Sequence, residues 1–263
     1  MNHLLHTSAL SVGAIMVLLA TNFGLSKQTE SSPSLAASPA TSSSFLDKSA
    51  DHLLSPSSAQ GSSDFIPAEA RRAAAEGNAA FAQGKIRQAV RAYQEVLQLA
   101  PNNLVGLVNL GVAEYRLGES ASAEKHLKRA LSLRLETGTA WLALGTMYMD
   151  QGRLDEALAA LTQARVYEPK DARVHNYLGV VMNRMGWSDA AESELRTAVE
   201  LDTTYCDAHY NLAIAYMDRN PPAIELAKRH YYIALQCGAP RDASMEKSFK
   251  GHFSSPKFSQ SAR

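Results

Sequence analysis

Neither sign of charge is in excess in this chain: Lys plus Arg and Asp plus Glu both total 26 in 263 residues. Without a basic balance it lacks the electrostatic footprint of a nucleic-acid-binding body. The same balance gives little reason to expect a binder of anionic membrane surfaces. Cysteine is scarce, and Cys206 and Cys237 are too few for a disulfide framework. Also missing are the phosphate-cradling glycine loop, H-E-x-x-H, G-x-S-x-G and C-x-x-C. Polar side chains are dispersed rather than convergent, so no catalytic residue, cofactor or metal site is assigned and no enzyme activity is expected.

Lys and Arg are absent from the first 26 residues. The apolar run from Ala9 to Leu25 carries no charge, and only His3, His6 and the amino terminus precede it. It is near the lower limit for a membrane-spanning helix and long for a signal-peptide core. Gly24-Leu25-Ser26 is a poor cleavage match. The next forty or so residues offer nothing to bury the run against, so residues 1–26 are expected to be a signal peptide or membrane anchor. That places the protein in the periplasm, or membrane-anchored outside the cytoplasm through residues 9–25. If the run is not an export signal, the protein is cytoplasmic. No cysteine follows the run, which excludes a cysteine-acylated lipoprotein. Residues 27–67 are rich in Ser, Ala and Pro and read as a disordered linker. Within it, Ser44 to Leu54 could form a short helix or a docking peptide through Phe45, Leu46, Leu53 and Leu54.

What is present is a repeat. Trp141, Leu144, Gly145 and Tyr148 fall on one face of a helix. Gly152 breaks the pattern, Ala157, Leu161 and Ala164 mark a second helix, and Pro169 closes the unit. Moving 34 residues back gives Leu107, Leu110, Gly111, Gly118, Ala123, Leu127 and Ala130. Moving 34 forward gives His175, Leu178, Gly179, Met182, Gly186, Ala191, Leu195 and Ala198. A first copy carries Ala73, Gly77, Ala80, Phe81, Gly84, Ala89, Tyr93, Val96 and Pro101. A fifth carries Leu212, Ala213, Tyr216, Ala227, Tyr231 and Ala234, in register only if two residues are inserted at Asn220-Pro221-Pro222.

This 34-residue skeleton, W-x2-L-G-x2-Y … A-x3-F … P, resembles the tetratricopeptide repeat (TPR) family. Leu161 stands where the skeleton has Phe. The resemblance implies an all-α, right-handed α-α superhelix of about five helix-turn-helix repeats with a disordered N-terminal tether. The array is expected over 68–240, with repeats near 70–103, 104–137, 138–171, 172–205 and 206–240. Residues 241–250 are expected to cap the last repeat and 251–263 to form a flexible tail. The last repeat, with its Pro-Pro turn and Gly-Ala-Pro end, is similar to terminal repeats of some bacterial members.

The family resemblance implies a non-catalytic scaffold whose first helices line a concave groove for a peptide or protein. The groove columns supply Asn78, Val105, Val108, Asn109, Val112, Tyr115, Leu142, Thr146, Met149, Arg173, Asn176, Val180, Asn183 and Tyr210, with Ile214 and Met217 beyond them. Some members clamp a carboxylate terminus with two Asn, two Lys and an Arg. Here Asn78 and Asn109 match the amides, but the cationic places hold Ala74, Thr139 and Ala143, so that clamp is rejected. The apolar strip through Val108, Val112, Tyr115, Leu142 and Met149 points to a partner with apolar anchors. The same residues could instead pack between repeats, and the sequence leaves both readings open. The alternatives to a peptide-binding scaffold are a self-associating structural protein, or a regulatory subunit of a cell-envelope assembly complex.

His175 and His209 occupy one packing column, about 8–10 Å apart if neighbouring repeats pack normally. They are read as hydrogen-bonded packing residues rather than metal ligands. Cys206 opens the first helix of the fifth repeat and Cys237 closes its second. Antiparallel packing would bring these ends together, so a disulfide is weighed against two reduced small fillers.

Overall fold

The computed structural model describes residues 67–251. The apolar run, the linker, the Ser44–Leu54 segment and the tail after residue 251 lie outside the described residues. Every regular element described is an α-helix. These are α1 (Ala68–Ala82), α2 (Ile86–Leu99), α3 (Leu104–Arg116), α4 (Ser120–Leu133), α5 (Gly138–Asp150), α6 (Leu154–Tyr167), α7 (Ala172–Arg184), α8 (Ser188–Leu201), α9 (Cys206–Asp218), α10 (Ile224–Gln236) and α11 (Ala243–Gly251). Consecutive helices pair as α1/α2 through α9/α10, and each pair packs on the next. This is the all-α array the 34-residue period predicts.

Local chemistry explains each turn. At the end of α5 the chain adopts a left-handed conformation at Gly152, with φ +74°. That conformation is costly for a residue bearing Cβ. The Gly152 N–H donates to the Met149 carbonyl at 3.1 Å, and the Arg153 N–H reaches back to the Tyr148 carbonyl at 2.9 Å. This closes the helix and aims the chain into α6. The last of these bonds recurs as Lys85 to Ala80, Glu119 to Glu114 and Trp187 to Met182. In the fifth pair the donor is Ala223, bonded to the Tyr216 carbonyl at 2.9 Å. The two extra residues at Asn220-Pro221-Pro222 thus bulge from the turn while the closing bond is kept. Two helix starts are capped by side chains: Asn103 accepts from the Gly106 N–H at 2.6 Å, and Asp171 from the Arg173 N–H at 2.9 Å.

Within a pair the crossing is set by size. Ala123, Ala157, Ala191 and Ala227 are buried at equivalent positions of the second helices. One turn on, Tyr93, Leu127, Leu161, Leu195 and Tyr231 fill the space against the first helix. A Cβ built on Gly145 would lie 2.5 Å from Leu161 Cγ, and one on Gly179 2.5 Å from Leu195 Cγ. The absent side chain is what lets the leucine seat. Each fully buried leucine contributes about 1.5–3 kcal/mol.

Candidate interaction face

The first helices α3, α5, α7 and α9 also touch one another side by side. Polar side chains bridge neighbouring first helices at a spacing of 35 residues. Tyr115 Oη donates to Asp150 at 2.6 Å, Asn183 Nδ2 to Asp218 at 2.8 Å, Asn211 Nδ2 to Asn176 Oδ1 at 2.9 Å, and Arg184 Nη1 to the Met149 carbonyl at 3.1 Å. Burial, then the Asp150 bond, pushes the Tyr115 hydroxyl well up. Burial likewise raises Asp150. At the first pair, Asn78 Oδ1 accepts from Tyr93 Oη at 2.9 Å and from Asn109 Nδ2 at 3.4 Å.

These contacts sort the expected groove residues into two groups. Val108, Asn109, Val112, Leu142, Thr146, Met149 and Asn176 are buried, none more than 7% exposed. Of the two readings open for Val108, Val112, Leu142 and Met149, their burial supports packing between repeats and corrects the exposed strip. The physical reason is lateral contact between first helices, which draws the columns beside the packing positions into the layer. Thr146 turns its hydroxyl back to the Ala143 carbonyl at 3.0 Å. Asn176 is held by Tyr205 and Asn211. Asn78, Tyr115, Arg173, Val180, Asn183 and Tyr210 are half-buried, and Val105 is exposed. Ile214 and Met217 are also half-buried, so accessible apolar side chains of this face are Val105 on α3, Val180 on α7, and Ile214 and Met217 on α9. Tyr210 Oη bonds Asp242 at 3.2 Å, and burial pushes its hydroxyl up to about 12.

Several interactions carry no signal in the repeat pattern. Glu114 is buried in the column that holds Tyr148 and Tyr216, and it meets His126 Nδ1 at 2.7 Å. Burial raises its carboxyl. Glu124 accepts from Lys128 at 2.6 Å, Tyr148 at 2.9 Å and Arg153 at 3.2 Å, and is held down at about 2, chiefly by Lys128. His175 donates through Nε2 to the Pro169 carbonyl at 2.9 Å and pairs through Nδ1 with Glu194 at 2.7 Å; Arg165 also binds Glu194. The Glu194 bond raises the His175 imidazole. His209 donates to the Thr203 carbonyl at 3.1 Å, but its Nδ1 meets His230 Nδ1 at 2.9 Å. Both column histidines are thus buried, hydrogen-bonded packing residues. Among the described residues, no three or more His, Cys, Asp or Glu side chains converge as metal ligands. Cys206 Sγ donates to the Thr204 carbonyl at 3.2 Å, Cys237 is exposed, and the two do not form a disulfide in this structure.

The family described as "Tetratricopeptide repeat" matches residues 74–138 and 108–163, and the one described as "TPR repeat" matches 145–186. The chain is 30% identical over 143 residues to the probable UDP-N-acetylglucosamine–peptide N-acetylglucosaminyltransferase SPINDLY of Hordeum vulgare. That match covers 52% of this chain and 15% of the barley protein. The chain spans between 9% and 39% of the curated relatives it matches. Among solved structures it is similar to pilF of Pseudomonas aeruginosa, with a TM-score of 0.62 and 18% identity over 70% of this chain and 86% of that one. It is also similar to YrrB, described as a TPR protein with an unusual peptide-binding site, with a TM-score of 0.51 and 20% identity over 66% of this chain and 88% of that one. The fold, the period and these matches agree: the chain belongs to the tetratricopeptide repeat family, whose members act as protein-interaction scaffolds.

Proposed function

We propose that this chain is a non-catalytic scaffold that holds an extended or helical peptide across the first-helix face of its fourth and fifth pairs. The observation that carries this is the run of half-buried side chains on that face. Arg173, Val180 and Asn183 lie on α7, and Tyr210, Ile214 and Met217 on α9. The polar groups beside them, the Arg173–Asp171 ion pair and the Asn183–Asp218 bond, are of a kind that suits a peptide backbone. The apolar anchors of the partner seat on Val180, Ile214 and Met217, one or two turns from the polar groups. YrrB, a neighbour in fold, is described as carrying a peptide-binding site, which supports the mode of binding but not the partner's identity. No converging catalytic constellation accompanies the face. The barley relative's transferase activity belongs to a protein of which only 15% is matched.

The apolar run of residues 9–25 and the Ser-rich stretch after it support an extracytoplasmic or membrane-anchored location for this scaffold. Among the described residues no helix is long and apolar enough to cross a membrane. The self-associating alternative rests on another surface. Leu99, Leu133 and Leu201 recur at the ends of the second helices and are 42%, 44% and 41% exposed.

The test is a pair of substitutions, Val180→Asp and Ile214→Asp, in the full chain. With a peptide obtained by display selection, each should weaken binding at least about tenfold, the effect of roughly 1.4 kcal/mol. The unfolding midpoint should stay close to the parent's. Unchanged affinity in both would reject the face.

A further inference from the structure

His209 and His230 form a contact that no other pair in the array contains. Their Nδ1 atoms lie 2.9 Å apart, and the rings stack with centroids 5.2 Å apart at 24°. Two ring nitrogens can meet at that distance only if one carries the hydrogen and the other offers a lone pair. The other side of His209 limits the choice. Its Nε2 faces the Thr203 carbonyl, which only accepts, so Nε2 keeps its hydrogen. A neutral His209 therefore presents a bare Nδ1, to which His230 Nδ1–H donates. If His209 gains a proton, its Nδ1–H donates instead, and His230 must present the lone pair. The contact thus survives with two neutral rings or with one imidazolium. It fails when both rings are charged, because two N–H groups and two positive charges would then oppose each other.

We infer that the His209–His230 pair is a proton-operated latch, which closes the fifth helix pair near neutral pH and opens it on acidification through the range in which imidazole becomes charged.

The preceding repeat shows what the latch replaces. His209 stands 34 residues after His175, and His230 stands 36 after Glu194, the period plus the two-residue insertion. In the fourth pair the column histidine meets a carboxylate, so a proton on the ring strengthens the contact. In the fifth pair the carboxylate is exchanged for a second base, and the response to protons is reversed.

The groups around the pair do not supply the missing negative charge. Tyr216 of α9 tilts against His230 with centroids 5.7 Å apart, and Arg229 on α10 itself adds positive charge beside it. Around Tyr216 lie Glu192 and Arg196 of α8 and Arg219 after α9; Glu192 is engaged by Arg219 at 3.0 Å. Toward α11, Glu246 bonds Tyr231 and Arg241, and Asp242 bonds Tyr210. Burial, then His209, then Arg229 hold His230 down at about 4.

The position of the latch gives it leverage. Terminal repeats of a linear array generally open at lower free energy than central ones. Only the short helix α11 follows α10 among the described residues. The buried residues of α10 are Ala227, Tyr231 and Ala234, and Tyr231 meets Phe249 of α11 with ring centroids 5.6 Å apart.

The test is amide hydrogen exchange on the full chain at pH 7.5 and 5.0, corrected for intrinsic rates and read helix by helix. Protection of α10 should fall at least about tenfold relative to α6, because the opened state binds one more proton than the closed one. His230→Glu, which copies the fourth pair, should abolish that fall, with α10 protection at pH 5.0 equal to or above its value at pH 7.5. Should that variant fail to fold, the wild-type pair decides: imidazole NMR must show two separated titrations and a protected Nδ1 proton at pH 7.5. Equal protection of α10 at both pH values, or two independent titrations near the ordinary histidine value, would overturn the latch.

Discussion

His175 Nε2 donates to the Pro169 carbonyl at 2.9 Å, six residues earlier in the chain. Trp141 Nε1 makes the same bond to Leu135 at 2.8 Å, and His209 Nε2 to Thr203 at 3.1 Å. Indole and imidazole are interchangeable there because each presents a ring N–H at the same height. The bond satisfies a carbonyl in the turn that joins one repeat to the next. The column is therefore a joint between repeats as well as a packing position.

Replacing His175 by Leu keeps much of the packing but removes that donor and leaves Glu194 without its imidazole partner. The expected cost is about 1–3 kcal/mol, from one lost hydrogen bond and an under-satisfied, largely buried carboxylate. Urea unfolding of the full chain checks it. A change below about 0.5 kcal/mol would show the joint to be dispensable.

The fourth pair has its own pH signature, opposite to that of the fifth. The Glu194 bond raises His175. A raised imidazole contributes stability that is fully present below the unfolded histidine value, near 6.5, and is lost as pH rises through its folded value. Burial opposes the charge on Glu194, but His175 and Arg165 outweigh it and lower the carboxyl. That contribution is present above the unfolded carboxylate value, near 4.3, and is lost as pH falls through the lowered folded value. The two windows overlap between about pH 4.5 and 6.5. The stability difference between wild type and His175→Gln should accordingly be larger at pH 5.5 than at pH 8. A difference independent of pH would contradict the ion pair.

Gly145 tests the crossing within a pair. Its built Cβ sits 2.5 Å from Leu161 Cγ. Gly145→Val should cost about 1–3 kcal/mol through overpacking. In a Leu161→Ala background the penalty should shrink, because the space is then vacant. A thermal-denaturation double-mutant cycle measures both, and additive penalties would mean that the two residues do not meet.

Much of the fold could be read in the sequence, because each repeat needs the same small and large residues at the same places. The turn at Gly152 and the insertion at Asn220-Pro221-Pro222 follow from single-residue chemistry. The candidate face was less legible. Burial of Val108, Val112, Leu142 and Met149 depends on how closely neighbouring first helices approach, and the pattern inside one repeat does not encode that distance. Glu114 and His126 are legible only as a pair, since each alone breaks its column. His230 aligns with Glu194 only after the insertion is allowed for, and this hid its partnership with His209.

A peptide bound on the first-helix face of the fourth and fifth pairs would leave its mark on that face alone. The most direct measurement is an amide and methyl NMR footprint of the full chain with a display-selected peptide. Shifts centred on Arg173, Val180, Asn183, Tyr210 and Ile214, saturating with the binding isotherm, are expected. A footprint confined to Leu99, Leu133 and Leu201, at the ends of the second helices, would contradict that binding face.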